Sequence, residues 1–306
     1  MPESDPELKT VQIIGCPEDL GQAKRGVDMG PSAMRVAGVV EKLRALGHTV
    51  IDSGDIVTSD MASEQPGNPN LRWVDQVVKD MEVLADVVEA AVRAGRFPLV
   101  LGGDNSVSIG TMAGLARVEP RQGLIWVDAH PDFNVPETTP SGNIHGMPVA
   151  AIVGDGDPRL TEVGGVTPKV LEENLVWIAL RDVDPRERDR VRASPATAYT
   201  MRDVDEMGMR QVTGEAINLA TRGGVDQIHL CFDMDSIDPR HAPGTGAPVP
   251  GGLSYREAHL MMEAFNDAGI ITSAEFVEVN PALDVRNGTA ELAVELICSL
   301  LGKRIL

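Results

Sequence analysis

Eight short apolar runs, rich in valine, isoleucine and leucine, recur along the chain at residues 11–17, 49–55, 97–104, 123–130, 174–182, 197–201, 227–235 and 271–279. Amphipathic, helix-like stretches lie between most of them, at 32–46, 73–95, 254–269 and 291–303. A strand with one wet face alternates polar and apolar residues, whereas a strand buried on both faces reads as a continuous apolar run. Alternation of such runs with helices is the pattern of parallel crossovers. The expected fold is therefore α/β, a three-layer α/β/α domain with a parallel, roughly eight-stranded sheet. No low-complexity linker and no internal repeat divides the 306 residues, so a single domain over 1–306 is expected. Residues 1–10 read as a flexible arm and 63–72, "SEQPGNPNLR", as a loop.

Composition removes several classes of function. No run approaches the roughly 18 consecutive apolar residues of a membrane span. The opening "MPESDPELKT" lacks the basic and apolar regions of a signal peptide. The formal charge of −19, from 27 basic and 46 acidic residues, repels nucleic acid and anionic membranes. Cys16, Cys231 and Cys298 lie far apart and form no C-x-x-C pair. Neither a disulfide framework nor a structural zinc site is indicated, and a cytoplasmic location is expected.

The polar residues gather where the apolar runs stop. The third run ends in Gly102-Gly103-Asp104-Asn105 and the fourth in Asp128-Ala129-His130-Pro131-Asp132. The seventh ends in Asp233-Met234-Asp235 and the eighth in Glu278-Val279-Asn280. Open parallel sheets bind ligands at the carboxyl ends of their strands. In an extended chain Asp128, His130 and Asp132 share one side, and so do Asp233 and Asp235. Carboxylates crowded there would repel one another unless a cation joined them. Oxygen-rich ligation with an imidazole suits Mn(II), and less well Fe, Co or Ni. Bridging carboxylates make a metal pair feasible, with hydroxide formed between the ions at neutral pH. One D-x-H or D-x-D alone is ordinarily a cap or turn. Two of them at strand ends favour the metal reading.

The motifs "GGDNS" (102–106), "DAHPDFN" (128–134), "SGNIHGMP" (141–148), "FDMDSIDP" (232–239), "GTGAPVPGGLSYRE" (244–257) and "EFVEVNPALD" (275–284) together resemble the ureohydrolase family. That is the arginase–agmatinase family, and "SGNIHG" favours its arginase branch. The resemblance covers about residues 11 to 306. It implies hydrolysis of L-arginine to L-ornithine and urea, by attack of a metal-bridging hydroxide on the guanidinium carbon. By the same resemblance Asp128 and Asp233 would bridge two manganese ions (Mn2+). His130 and Asp235 would complete one metal's shell, and Asp132 with Asn105 the other's. Asp132 would also help move a proton to the leaving amine, and His145 would shuttle protons. Glu278 would hold the guanidinium. Asp184, supported by Asp182, would take the substrate ammonium, and Asn134 with Ser141 its carboxylate. A homotrimer or homohexamer is implied, with the C-terminal "LGKRIL" between subunits. Tyr255-Arg256-Glu257 would be candidates for inter-subunit ion pairs, although sequence alone favours an ordinary helix start with a surface Arg–Glu pair.

The chain departs from the family pattern at a few positions. Asn105 stands where histidine is usual, Ala247 where threonine is, and Ser236 where glycine is common. Pro131 stiffens the loop between two presumed ligands. An asparagine carbonyl is a neutral, weaker donor for a transition metal. Asn105 could bind through its oxygen, yield its place to water, or leave that site mostly empty. The expected function is thus a manganese arginase. The alternatives are the same chemistry on agmatine or guanidinobutyrate, and a catalytically weak relative that binds arginine or metal without turnover.

Overall fold

The computed structural model describes residues 7–59 and 65–304. Most of the expected arm, the first part of the 63–72 loop and the last two residues of "LGKRIL" lie outside the described residues. Thr10, placed in the arm by sequence, opens the first strand.

The chain begins β1 (Thr10–Cys16), α1 (Gly30–Val36), α2 (Val39–Ala45) and β2 (Thr49–Asp55). The expected helix 32–46 breaks at Gly38, whose φ is 85°. A two-residue hairpin, β3 (Gly67–Asn68) and β4 (Leu71–Arg72), replaces the second half of the expected loop. Then follow α3 (Val74–Arg93), β5 (Phe97–Gly102), α4 (Val107–Ala116) and β6 (Gly123–Val127). The short helices α5 (Pro148–Ile152) and α6 (Pro158–Thr161) precede β7 (Leu175–Leu180), α7 (Pro185–Ala193) and β8 (Thr197–Thr200). The chain closes with α8 (Met201–Met207), α9 (Met209–Ala220), β9 (Ile228–Asp233), α10 (Tyr255–Ala268), β10 (Ile271–Val277) and α11 (Gly288–Leu300).

Eight strands form one parallel sheet in the order β2-β1-β5-β10-β9-β6-β7-β8. The expected α/β architecture is the observed one. Strands β5, β6, β7 and β9 are buried at every position, as continuous apolar runs require. Two apolar layers result. One packs α1, α2, α9, α10 and α11 on one face of the sheet, the other packs α3, α4 and α5 on the opposite face. Each leucine- or phenylalanine-sized side chain buried there contributes about 1.5–3 kcal/mol.

Helix ends follow local chemistry. Ser254 caps α10 and Glu257 returns the bond to the Ser254 backbone, so Glu257 serves its own helix start. Arg256 pairs with Glu263 of the same helix at 3.2 Å. The three cysteines are buried and free. No helix among the described residues is long and apolar enough to cross a membrane.

The sheet register sets the site. Phe232 of β9 lies beside Val127 of β6 and Phe276 of β10. Asp233 therefore sits level with Asp128, which follows β6, and with Val277, the residue before Glu278.

Candidate active site

Three of the four polar strand ends turn by the same device. The carboxylate of Asp128 accepts the backbone N–H of His130 at 2.7 Å, and that of Asp233 accepts from Asp235 at 2.6 Å. Asp104 accepts from Ser106 at 2.9 Å. An aspartate bonded to the backbone two residues on ends extension and starts a turn. The strands accordingly stop at Gly102, Val127 and Asp233, short of the sequence expectation at 104, 130 and 235. Asp128, His130 and Asp132 thus do not share a side by strand alternation. Asp132 is left-handed, with φ 48°, and Met234–Ser236 is a 3-10 turn. Glu278 is also left-handed, with φ 62°. Such φ values in non-glycine residues carry strain of order 1–3 kcal/mol and cluster at functional sites.

The turns converge. His130 Nδ1 lies 3.3 Å from Asp128 Oδ1 and 3.2 Å from Asp235 Oδ2. One ligand atom from each of these three residues falls within 4.8 Å of the others. Asn105 donates from Nδ2 to Asp233 Oδ2 at 2.7 Å and to Asp128 Oδ2 at 3.4 Å. Trp126 donates from its indole to Asp128 Oδ2 at 3.0 Å. Burial, and then the neighbouring Asp235, push Asp128 up to about 7. Burial also raises Asp132 and Asp233 well above the usual carboxylate range. Burial works against the charged form of Asp235 too, but His130 outweighs it and holds that acid below its ordinary value. For His130 burial favours the neutral ring, and Asp235 and Asp128 overcome it, so its pKa is raised far above that of free imidazole.

A cavity of about 230 Å3 opens over this cluster. Its lining includes eleven of the residues expected from sequence: Asn105, His130, Asp132, Asn134, Ser141, His145, Asp182, Asp184, Asp233, Asp235 and Glu278. Asp128, fully buried, stands behind it. Among the described residues five aspartates and two glutamates face the cavity and neither lysine nor arginine does, which is an environment built for cations.

Glu278 anchors the floor, meeting His145 Nδ1 at 3.4 Å and Gln22 Nε2 at 3.3 Å. Glu278 raises the His145 pKa against the effect of burial. At the mouth Asn134 donates to Asp184 at 3.1 Å. Asp182 lies 3.8 Å from His130 Nε2 and is otherwise exposed. Ser141 accepts the Asn143 N–H at 3.2 Å.

Two glycines are fixed by close approach. A Cβ at Gly103 would come 1.8 Å from the Glu18 carbonyl, and one at Gly142 would come 1.7 Å from that of Pro69. Gly103 thus lets the Asn105 turn dock on the loop after β1. Gly142 seats the 141–146 loop against the β3–β4 hairpin, where its carbonyl accepts from Arg72 at 2.9 Å.

Sequence reasoning missed Glu187, Gln22 and Trp126. Glu187, on α7, lines the cavity and accepts the Phe133 N–H at 2.7 Å. Burial pushes it up to about 7. Trp126 was readable in principle, because W-V-D spacing puts it on the same side of β6 as Asp128. Nothing local marked Glu187 or Gln22.

The donor set fits divalent metal. It is rich in carboxylate oxygen and has one central imidazole. Two buried polar atoms, Asp132 Oδ2 and Asn105 Oδ1, have no hydrogen-bond partner among the described residues. Buried acceptors are rarely left bare; a cation would satisfy Asp132 directly, and Asn105 once its amide turned over.

Comparison with known proteins agrees with this geometry. The model of the arginase family matches residues 9–302. Arginase from Bacillus caldovelox is 51% identical over 300 residues, covering 98% of this chain and all of that protein. Its crystal structure superposes with a TM-score of 0.94 over 98% of this chain and all of that one. Arginase from Bacillus subtilis strain 168 is 49% identical over 97% of this chain and 99% of its own length. Arginase from Entamoeba histolytica, crystallised with L-ornithine, is 32% identical, with a TM-score of 0.88 over 97% of this chain and all of its own. The chain belongs to the arginase family and is an arginase-type ureohydrolase.

Proposed function

We propose that this protein hydrolyses L-arginine to L-ornithine and urea with a pair of Mn(II) ions. The observation that carries the reading is the polarity of the cavity along its length. Glu278, buried in the lining, has the Asn105 N–H, Gln22 and His145 beside it, a carboxylate acceptor for a permanently protonated guanidinium. Asp184 and Asn134 stand together at the mouth, an acceptor and an amide suited to ammonium and carboxylate. A substrate with a guanidinium at one end and an amino acid at the other matches both. Agmatine and guanidinobutyrate each lack half of the amino-acid end. The arginase from Entamoeba histolytica with bound L-ornithine supports the same choice.

Asp128 and Asp233 would bridge the ions, His130 and Asp235 would hold one of them, and Asp132 and Asn105 the other. The metals, when bound, supply an activated water at neutral pH. The chain's own groups do the rest. Glu278 fixes the guanidinium and so places its carbon. Asp132, buried in the lining, takes up the proton and passes it to the leaving amine. His145, half-buried beside Glu278, exchanges protons with solvent. The strained backbone at Asp132 and Glu278 holds both carboxylates toward the cavity before substrate arrives.

The relatives named arginase span nearly the whole chain, and they lend no support to a binding-only relative. The test counts metals per chain after Mn(II) loading and measures urea from L-arginine and from agmatine. Two metals with arginine-selective urea release uphold the proposal. Equal or greater turnover of agmatine would move the substrate assignment, and no urea from either would refute it.

A further inference from the structure

The outer edge of the sheet carries a second cavity, opposite in character to the acidic one. It lies past the carboxyl ends of β7 and β8, between α7 and the start of α8, and encloses about 510 Å3. Arg181, Arg188, Arg192 and Arg202 line it, and among the described residues no aspartate or glutamate does. In a chain with 46 acidic and 27 basic residues, that segregation runs against composition. The rest of the wall is largely apolar, with Leu180, Val191 and Met201 prominent.

The arginines are poorly neutralised. Arg188 and Arg192 stand four apart on α7, where like charges repel. Among the described residues no carboxylate pairs with either, and Arg188 reaches only the Val183 carbonyl, at 3.3 Å. Arg202 pairs with Glu206 at 2.7 Å, with both side chains largely exposed. Such a pair contributes little and exchanges readily for another oxyanion. Arg181 is fixed in place, donating to the carbonyls of Asp235 and Val249 at 2.6 and 2.7 Å. It adds charge to the cavity without being free to turn away from it.

We propose that this cavity binds a small organic anion, with an oxyanion head held by Arg188, Arg192 and Arg202 and an apolar body against Leu180, Val191 and Met201. Guanidinium forks match carboxylate and phosphate alike, so the shared chemistry is an oxyanion. The apolar wall requires a body as well as a head. The volume falls within the range of about 300–1,000 Å3 that small-molecule sites occupy. The inference stands on this cavity alone and is independent of what the acidic site hydrolyses.

Calorimetric titration of the Mn(II)-loaded full chain tests it, with phenyl phosphate, phenylacetate and inorganic phosphate as probes. At least one phenyl anion should bind with a dissociation constant near or below about 1 mM, and inorganic phosphate about tenfold more weakly. Whichever head binds tighter identifies the source of the anion. Arg188→Ala/Arg192→Ala should weaken binding about tenfold or more, with urea release and melting temperature unchanged. Both positions are exposed on a helix, so the variant should fold. Three results would overturn the proposal. One is no binding at about ten times that concentration, and another is undiminished binding by the double variant. The third is a change in assembly mass with probe binding unaltered, which would make the cavity an interface between copies.

Discussion

The indole N–H of Trp126 points at Asp128 Oδ2 from 3.0 Å, with both residues fully buried. Asp128 spends its other oxygen on the His130 backbone at 2.7 Å. The carboxylate is thereby held from both sides before any metal reaches it. Outer partners of this kind orient a ligand, and losing one typically weakens metal binding about 10–100-fold. Trp126→Phe keeps most of the apolar volume and removes the donor. Mn(II) titration of the metal-free protein should show affinity about tenfold lower or worse. Unchanged affinity would make Trp126 a packing residue only.

Asn105 presents its amide nitrogen to Asp233 and Asp128 while its oxygen has no partner among the described residues. To ligate a metal the amide must turn over and give up those charge-assisted bonds. Asn105→His removes the bonds and offers a nitrogen donor. The metal-free variant should lose roughly 1.5–3 kcal/mol of stability, the scale of a hydrogen bond to a charged group. Its affinity for Mn(II) should rise. Melting scans with chelator and with Mn(II) would show a larger metal-induced shift than in the parent. An equal shift would mean position 105 does not reach the metal.

The central sheet was legible because strands buried on both faces leave unbroken apolar runs, as "LIWV" and "IHLCF" do. Helix α4 was not, because all ten of its residues are buried and it has no polar face to create a period. Helix α7, "PRERDRVRA", failed the other way, since only Glu187 in it is buried and no apolar stripe exists. The site residues were legible as a set because they follow strand ends, yet the reason given for Asp128, His130 and Asp132 was mistaken. Alternation along a strand was expected, and side-chain-to-backbone turns do the work. Spacing by two is common to both, so sequence could not separate them. Glu187 reaches the cavity, and Gln22 reaches Glu278, through tertiary packing alone.

Glu187 gives the metal-free protein a pH signature. Burial raises its pKa to about 7 from an ordinary 4.5. Between those values the folded state binds a proton that the unfolded state does not. The stability this contributes is full below about pH 4.5 and is lost as pH rises through about 7. At 1.36 kcal/mol per unit the ceiling is roughly 3 kcal/mol. Glu187→Gln removes the titration. In chelator, the variant should gain on the parent as pH moves from about 5 to about 8. A difference that stays constant across that range would place the Glu187 pKa near its ordinary value.

The two ends of the cavity should fail in different ways. Glu278 is 97% removed from solvent and would meet a guanidinium that never loses its proton. Glu278→Gln keeps the shape and deletes the charge. Breaking a buried ion pair typically costs about 3–5 kcal/mol, so kcat/KM should fall about 100-fold or more for arginine and agmatine alike. Asp184 stands at the half-exposed mouth against Asn134, where only a substrate with an amino-acid end can use it. Asp184→Asn preserves the reach to Asn134 and removes the charge that meets the ammonium. Its KM for arginine should rise about tenfold, with agmatine little changed. The informative quantity is the ratio of kcat/KM for the two substrates. It should stay level in the Glu278 variant and collapse in the Asp184 variant. If Asp184→Asn lowers both substrates equally, the mouth does not read the amino-acid end, and the choice of arginine over other guanidino compounds rests on something else in the cavity.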